Sequence, residues 1–212
     1  NQNGTVKELS SQKNLSQVEQ LVNNIEKAHH KAAFMDKDAI KFDISLDFGG
    51  KDRLNGTITM STDSKYVRLD KKDGTTIVYD GEKVWMTPID ANSDGARFDI
   101  FTWSYFFALP YKLNDDGTIV SFKKETDEHN VFRLSFEKGT GDAPDDWYDI
   151  YSDQNSSLID YAGYIVTYGG TSVEKATENA HAIGYSSYQK LDGIPIAHQW
   201  KFYNYSNTVD TS

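Results

Sequence analysis

The sequence predicts a mainly β protein with helices (α+β). We expect a single curved antiparallel sheet, or half-open barrel, of about ten or eleven strands with helices on its concave side. Apolar and polar residues alternate along most of the chain from residue 39 to residue 204, and Asp-Gly and Asn-Asp turns separate the alternating runs. An amphipathic helix precedes them. Alternation gives each strand one wet face, so the other faces line a shared interior.

The helix is predicted over 16–34. Ser16 and Glu19 have the spacing of a capping box, in which each side chain satisfies a backbone N–H at the start of a helix. Apolar residues then recur three and four positions apart, which places them on one helix face. These residues are Val18, Leu21, Val22, Ile25, Ala28, His29 and Ala32.

The strands are predicted from period-two patterns between turn residues. The run AIKFDISLDF at 39–48 alternates without a break. The further strands are expected near 54–60, 65–70, 75–80, 83–87, 118–125, 130–137, 147–153, 157–168, 180–190 and 195–204. No linker or repeat divides the series, so we expect one domain over 15–212 after a flexible tether at 1–14.

Composition excludes several classes of function. The formal net charge is −10 and there are no cysteines. An acidic surface repels phosphate backbones, which argues against binding to nucleic acid. The absence of cysteine excludes disulfides, thiolate metal sites and cysteine nucleophiles. No apolar run reaches the roughly 18–20 residues of a membrane span.

The start of the chain suggests export. Residues 1–14 are polar and patternless, and the first residue is Asn1 rather than Met. Either a leader has been removed or the sequence has been trimmed, and a polar tether ahead of a folded domain is common in exported, surface-anchored proteins. A lipid-modified cysteine immediately upstream of Asn1 would fit such a tether.

A short segment, FDIFTWSYFFALP at 98–110, is apolar nearly all round when it is drawn as a helix. Pro110 predicts a stop, so the helix is expected over 98–109. Exposing five such side chains would forgo about 7–15 kcal/mol, because burying each is worth roughly 1.5–3 kcal/mol. The rings must therefore be covered, either by the protein's own core or by an apolar ligand under a lid.

Catalytic and metal-binding motifs are missing. There is no nucleophile elbow, no zinc-protease motif, no phosphate-binding loop and no dinucleotide fingerprint. His29 is interpreted as a packed or surface histidine rather than a ligand, and His198 as a buried, hydrogen-bonded core histidine. The turn at 90–95 matches the first half of a calcium loop, but its twelfth position is Phe101 instead of Glu, so it is interpreted as an ordinary turn. We predict no enzymatic activity, no cofactor and no metal site.

The order of features resembles the LolA/LolB-like superfamily of periplasmic lipoprotein-sorting and carrier proteins. The resemblance is carried by LNGTITM at 54–60, KYVRLD at 65–70, the hairpin at 75–88 with Asp80, Gly81 and Trp85, and the apolar segment at 98–110. The likeness is closer still to uncharacterised exported members from Bacteroidetes-type bacteria. It implies a half-open barrel whose helices cover an apolar hollow. It also implies binding of acyl chains, or of whole lipoproteins by their acyl chains, in a periplasmic or outer-membrane-anchored protein of a Gram-negative-type envelope.

One position differs from the carriers, which place an Arg, usually before a Pro, in the turn after the Gly-bearing strand. Here that turn reads STDSKY, and the nearest arginine is Arg68 on the next strand. The resemblance therefore implies the fold and lipid binding, and it does not extend to lipoprotein transfer itself.

Two functions follow as hypotheses. The first is an envelope protein that binds acyl chains of lipid or lipoprotein in the hollow of the sheet. The second is a structural or protein-interaction module of the envelope with a self-filled core and no ligand. For the first, the predicted ligand-binding residues are Trp85, Phe101, Trp103, Tyr105, Phe106, Phe107 and Trp200.

Overall fold

A computed structural model describes residues 17–91 and 95–212. Outside these residues lie the predicted tether at 1–14, Ser16 of the capping box, and residues 92–94 of the turn at 90–95 that resembles a calcium loop. Four helices are described: α1 (17–28), α2 (Lys31–Met35), α3 (Ala96–Ala108) and α4 (Val173–Glu178). The helix predicted over 16–34 is thus interrupted. His30 has a left-handed backbone with φ of 55°, and a turn at 29–30 separates α1 from α2.

The mainly β class with antiparallel sheets is confirmed. The described strands are β1 (Ala39–Phe48), β2 (Lys51–Ser61), β3 (Val67–Lys71), β4 (Thr76–Tyr79), β5 (Val84–Thr87), β6 (Thr118–Glu125), β7 (His129–Phe136), β8 (Tyr148–Asp153), β9 (Ile159–Tyr164), β10 (His181–Leu191), β11 (Ile194–Tyr205) and β12 (Val209–Asp210). They differ from the prediction in number and in pairing. Twelve strands are described, and they are hydrogen-bonded in two sheets instead of one.

The two sheets follow chain order. Sheet A joins β1 to β5 in sequence, and sheet B joins β12 to β6 in the order β12-β11-β10-β9-β8-β7-β6. Sheet B curls into a half-barrel. Alternation predicts which residues form strands, but it does not encode which strands share hydrogen bonds, and helix α3 interrupts the series between β5 and β6.

The chain divides into two compact units. Unit 1 contains residues 17–31 and Pro110–Ser212, and unit 2 contains Ala32–Leu109. The single domain expected over 15–212 stays a prediction.

In unit 2, the two faces of sheet A differ in character. One face carries buried apolar residues, including Ile58, Leu69 and Ile77, which are opposite one another on β2, β3 and β4. The other face carries polar pairs such as the Arg68–Asp70 ion pair at 2.6 Å. Gly56 allows the close approach of β2 to β3, because a Cβ there would lie 2.5 Å from the backbone oxygen of Asp70.

In unit 1, a strand of sheet B carries a buried carboxylate. Asp149 on β8 is fully buried and accepts hydrogen bonds from three side chains: Arg133 at 2.8 Å through two nitrogens, Lys123 at 2.8 Å and the Tyr205 hydroxyl at 2.7 Å. Arg133 also lies 3.8 Å from the centre of the Trp147 ring. We call Asp149, Arg133, Lys123 and Tyr205 the Asp149 cluster. It satisfies a charge that would otherwise be costly to bury.

Gly163 lies directly against the Tyr205 ring of the Asp149 cluster, so a larger residue at this position should lower the stability of the protein. A Cβ at Gly163 would lie 2.6 Å from two carbons of the Tyr205 ring. We expect Gly163→Ala to lower the free energy of unfolding by about 1–3 kcal/mol, because inserting a methyl group into a packed core forces the ring to move. Urea unfolding followed by circular dichroism measures the change.

The control is the same substitution beside a smaller neighbour. In a Tyr205→Leu background the added methyl group meets no ring, so the cost of Gly163→Ala should largely disappear. Equal costs in both backgrounds would contradict the packing explanation, because non-additivity is the signature of a direct contact.

Candidate functional site

Helix α3 is the aromatic segment predicted over 98–109, and it is described over Ala96–Ala108. It begins after Gly95, whose φ of 84° is left-handed and suits glycine. It continues into a 3-10 turn at Leu109–Tyr111, where Pro110 lies. The prediction of a helix with a stop at Pro110 is therefore close to the described element.

Two of its rings pack on strands of sheet A. Phe107 stacks on Phe42 of β1, with ring centres 4.1 Å apart and an angle of 16° between the planes. Phe101 meets Tyr79 of β4 edge-on at 4.8 Å. Because β1 and β4 are at nearly opposite sides of the five-stranded sheet, α3 crosses the strands instead of running along one of them.

Two other rings are buried. Trp103 is 4% exposed and Phe106 is 2% exposed, and their ring centres are 6.0 Å apart. Phe101, Tyr105 and Phe107 are only half-buried. Within unit 2, the rings of this segment are therefore covered to different degrees. Protein covers Trp103 and Phe106, and three half-buried rings retain accessible surface.

An ion pair fixes the first turn of α3. The Asp99 carboxylate is 5% exposed and accepts hydrogen bonds from the Arg53 guanidinium of β2 at 2.6 and 3.4 Å. It also accepts a hydrogen bond from the Trp103 indole N–H at 3.1 Å. A carboxylate near a helix N-terminus is also favoured by the helix dipole. Arg53 and Asp99 set the position of the helix, and neither was singled out from the sequence, because a charge inside an apolar run gives no sign of its distant partner.

Trp85 is placed differently from the other predicted residues. It is opposite Val78, whereas its neighbours Val84 and Met86 are opposite Tyr79 and Ile77. Side chains alternate along a strand, so Trp85 lies on the face of sheet A away from the face that Tyr79 presents to α3. It is 56% exposed. Trp85 therefore does not lie beneath the aromatic helix, and its predicted role in ligand binding stays a prediction.

Trp200 belongs to unit 1. It lies on β11, is half-buried, and meets the Tyr185 ring edge-on at 6.2 Å. The binding of a ligand by Trp200, as by the rings of α3, stays a prediction.

The two histidines singled out from the sequence have different surroundings. Of the two alternatives for His29, packed or surface, the structure shows the packed one, because the residue is 1% exposed. Its Nε2 accepts the backbone N–H of Ile159 at 3.1 Å. His198 is exposed on β11, so its interpretation as a buried histidine is wrong. The alternation of His198 with Ile196 and Trp200 indicated an inward face, but neither of those residues is fully buried.

The described residues contain neither a cluster of metal-binding side chains nor a membrane-spanning helix. Within residues 17–91 and 95–212, no group of three or more His, Cys, Asp or Glu side chains is placed to hold a metal ion. Across the same ranges, every helix is too short or too polar to cross a membrane.

Comparison with solved structures identifies a similar fold. A LolA superfamily protein from Nitrosomonas europaea superposes with a TM-score of 0.54 at 10% identity, covering 87% of each chain. A DUF1329 family protein from Desulfovibrio piger gives a TM-score of 0.43 at 14% identity, over 85% of this chain and 86% of that one. No protein-family model and no curated protein matches the sequence. At such low identity the likeness to the first structure concerns the fold alone, and the protein has a LolA-like fold.

Proposed function

We propose that the protein is a non-enzymatic envelope protein that binds the acyl chain of a lipid or lipoprotein through helix α3. One observation carries the proposal. The helix presents three half-buried aromatic rings, Phe101, Tyr105 and Phe107, on a LolA-like fold. We infer a periplasmic location or an outer-membrane anchor from the same resemblance, and an acyl modification upstream of Asn1 would provide the anchor.

The chemistry of these rings suits an acyl chain. The half-buried aromatic rings of α3 offer apolar surface that an acyl chain can contact. A chain gains about 0.8 kcal/mol for each buried CH₂, so ten methylenes would contribute roughly 8 kcal/mol before the entropic cost of binding. Useful affinity therefore needs no charged contact.

The second candidate is a structural module without a ligand. The stacking of Phe107 on Phe42 and the edge-on contact of Phe101 with Tyr79 favour it, because these rings already have partners within unit 2. Under this alternative the rings of α3 are core residues, and substituting them would change stability and nothing else.

A binding titration separates the two. We expect a dansyl-labelled undecanoic acid to bind the wild type saturably, with blue-shifted emission, and palmitate to displace it. Phe107→Ala should weaken binding by about tenfold, since a central aromatic contact commonly contributes more than 1 kcal/mol. Dissociation constants are compared at a temperature where every variant is folded by circular dichroism.

The matched control is Tyr203→Ala in unit 1. Tyr203 is also half-buried and meets Tyr161 edge-on at 6.0 Å, so its loss should reduce stability to a similar extent. Its affinity for the probe should equal that of the wild type. If the wild type shows no saturable binding, or if both variants weaken binding equally, the acyl proposal fails and the self-filled module is favoured.

A further inference from the structure

The outer face of sheet A carries a second candidate site, at the strand end where Trp85 lies. We propose that this face binds a neutral saccharide, which stacks on the Trp85 indole and hydrogen-bonds to the Arg68–Asp70 ion pair. The site is separate from the acyl-binding surface of α3, because it uses the opposite face of the sheet.

The exposed indole is held in a fixed orientation. Trp85 is 56% exposed, and its Nε1–H donates to the Asp80 carboxylate at 2.6 Å. Asp80 is itself fixed, because its other oxygen accepts the backbone N–H groups of Glu82 at 3.0 Å and Lys83 at 2.7 Å. An aromatic ring that is both exposed and immobilised loses little conformational entropy when a ligand stacks on it.

The strand register places a polar wall across from the indole. Trp85 is opposite Val78, and Val78 is opposite Arg68. Two strand spacings separate the backbones of Trp85 and Arg68 by about 10 Å. Arg68 and Asp70 form a bidentate pair, with nitrogen–oxygen distances of 2.7 and 2.6 Å.

The floor between these walls consists of small side chains. Thr76 is opposite Asp70 on one side and Thr87 on the other, and Val78 lies in the adjacent row. The Thr76 hydroxyl donates to Asp70 at 2.8 Å. We call the set of Trp85, Val78, Thr76, Thr87 and the Arg68–Asp70 pair the outer trough. Its two sides differ: the apolar indole lies on β5, and a row of donors and acceptors lies on β3 and β4.

This chemistry favours a neutral sugar over an ion. The polar wall combines one positive and one negative side chain in a bidentate pair, so the pair itself carries no net charge. Arg68 supplies only donors, Asp70 supplies only acceptors, and threonine hydroxyls supply both. A sugar ring matches this arrangement, since its C–H face is apolar and its hydroxyl groups both donate and accept.

Saturation-transfer NMR with cellohexaose and maltohexaose tests the proposal. We expect saturable binding of at least one of the two by the wild type, and binding weakened by about tenfold or more in Trp85→Ala, as for a central aromatic contact. Trp85→Phe keeps a stacking face and should be intermediate. Asp70→Asn should weaken binding several-fold, because it breaks the polar wall.

The matched control is Tyr168→Ala, which removes another exposed aromatic, 41% accessible and in unit 1. It should bind as the wild type does. Three results would overturn the proposal: no saturable binding of either hexasaccharide, equal binding by Trp85→Ala and the wild type, or loss of binding in the Tyr168→Ala control. A Trp85-dependent association with phosphatidylcholine vesicles without sugar binding would assign the face to a lipid surface instead.

Discussion

Replacing Asp149 by Asn should lower the free energy of unfolding at pH 7 by about 3 kcal/mol, in the range measured when one partner of a buried ion pair is removed. Asp149 is fully buried, and the side chains of Arg133 and Lys123 are only 31% and 27% exposed. Without the carboxylate these two cations would face each other with no negative charge between them. The Tyr205 hydroxyl would also lose its charged acceptor.

The loss should depend on pH in a defined direction. Burial by itself raises the pKa of Asp149, but hydrogen bonds from Arg133, then from Lys123 and Tyr205, outweigh it and hold the pKa below its ordinary value. A carboxylate whose pKa is lowered by folding contributes stability above its unfolded pKa, about 3.9. That contribution is lost as the pH falls through the folded pKa, so the difference between wild type and Asp149→Asn should shrink below about pH 4.

Urea unfolding at pH 7 and at pH 3 measures both effects. Asp115→Asn is the control, because Asp115 pairs with Lys112 at 3.1 Å but is 43% exposed. Its substitution should cost less than about 1 kcal/mol. A loss for Asp149→Asn no larger than that of the control would show that the Asp149 cluster contributes little.

The second large effect concerns His29. The protein should lose stability in mild acid, because the unfolded chain protonates this ring while the folded protein keeps it neutral. Burial, with a smaller contribution from the charge of His30, lowers the pKa of His29 from 6.5 to about 3. The folded protein thus keeps the ring neutral in a pH range where the unfolded chain binds a proton. The stability contributed by neutral His29 is present above about pH 6.5 and is lost as the pH falls toward 3.

The geometry supplies the physical reason. The Nε2 of His29 accepts the Ile159 N–H, and protonation would place a donor against a donor. The Tyr188 hydroxyl donates to the backbone carbonyl of Ile159 at 2.6 Å. The rings of Tyr188 and Tyr111 meet the His29 ring edge-on. Burial raises the pKa of both phenols, so neither becomes an anion that could stabilise a charged imidazole.

A comparison with His29→Gln isolates the effect, since Gln can still offer an oxygen to Ile159 but does not titrate. The wild type should lose about 2 kcal/mol relative to this variant between pH 6.5 and pH 5, at about 1.4 kcal/mol for each pH unit. His198→Gln, which removes an exposed histidine, should follow the wild type over the same range. A constant difference between wild type and His29→Gln would mean that His29 does not titrate differently on folding.

Local sequence patterns predicted the helices and strands well, because strand alternation and helix stops depend on residues that are neighbours in the chain. Alternation over 39–48 marked β1, and the apolar run ending at Pro110 marked α3. The break at His30 was missed, because no glycine or proline marks the turn between α1 and α2. The division into two sheets was missed because the choice of strand partners depends on contacts far apart in the chain.

The candidate site was predicted less completely. Trp103 and Phe106 were correctly placed on the aromatic helix, but their burial depends on packing that the segment alone does not reveal. Strand alternation could have assigned Trp85 to the outer face of sheet A, because its neighbours on β5, Val84 and Met86, are apolar and point to the other face. Arg133 and Asp149 were not singled out from the sequence, because only the register of β7 against β8 brings them together.

The split of unit 1 along the chain has a consequence for biosynthesis. Unit 2 is inserted between residue 31 and residue 110, so the hydrogen bond from Ile159 to His29 joins positions 130 residues apart. As the polypeptide emerges from the ribosome or a translocon, α1 exists long before the strands of its own unit. Its apolar side chains Val18, Val22 and Ile25, which are buried in the folded protein, stay exposed until the rest of the unit has been synthesised. Unit 2, being contiguous, can condense first, and the entropic cost of closing the long loop is reduced once its interior has become compact.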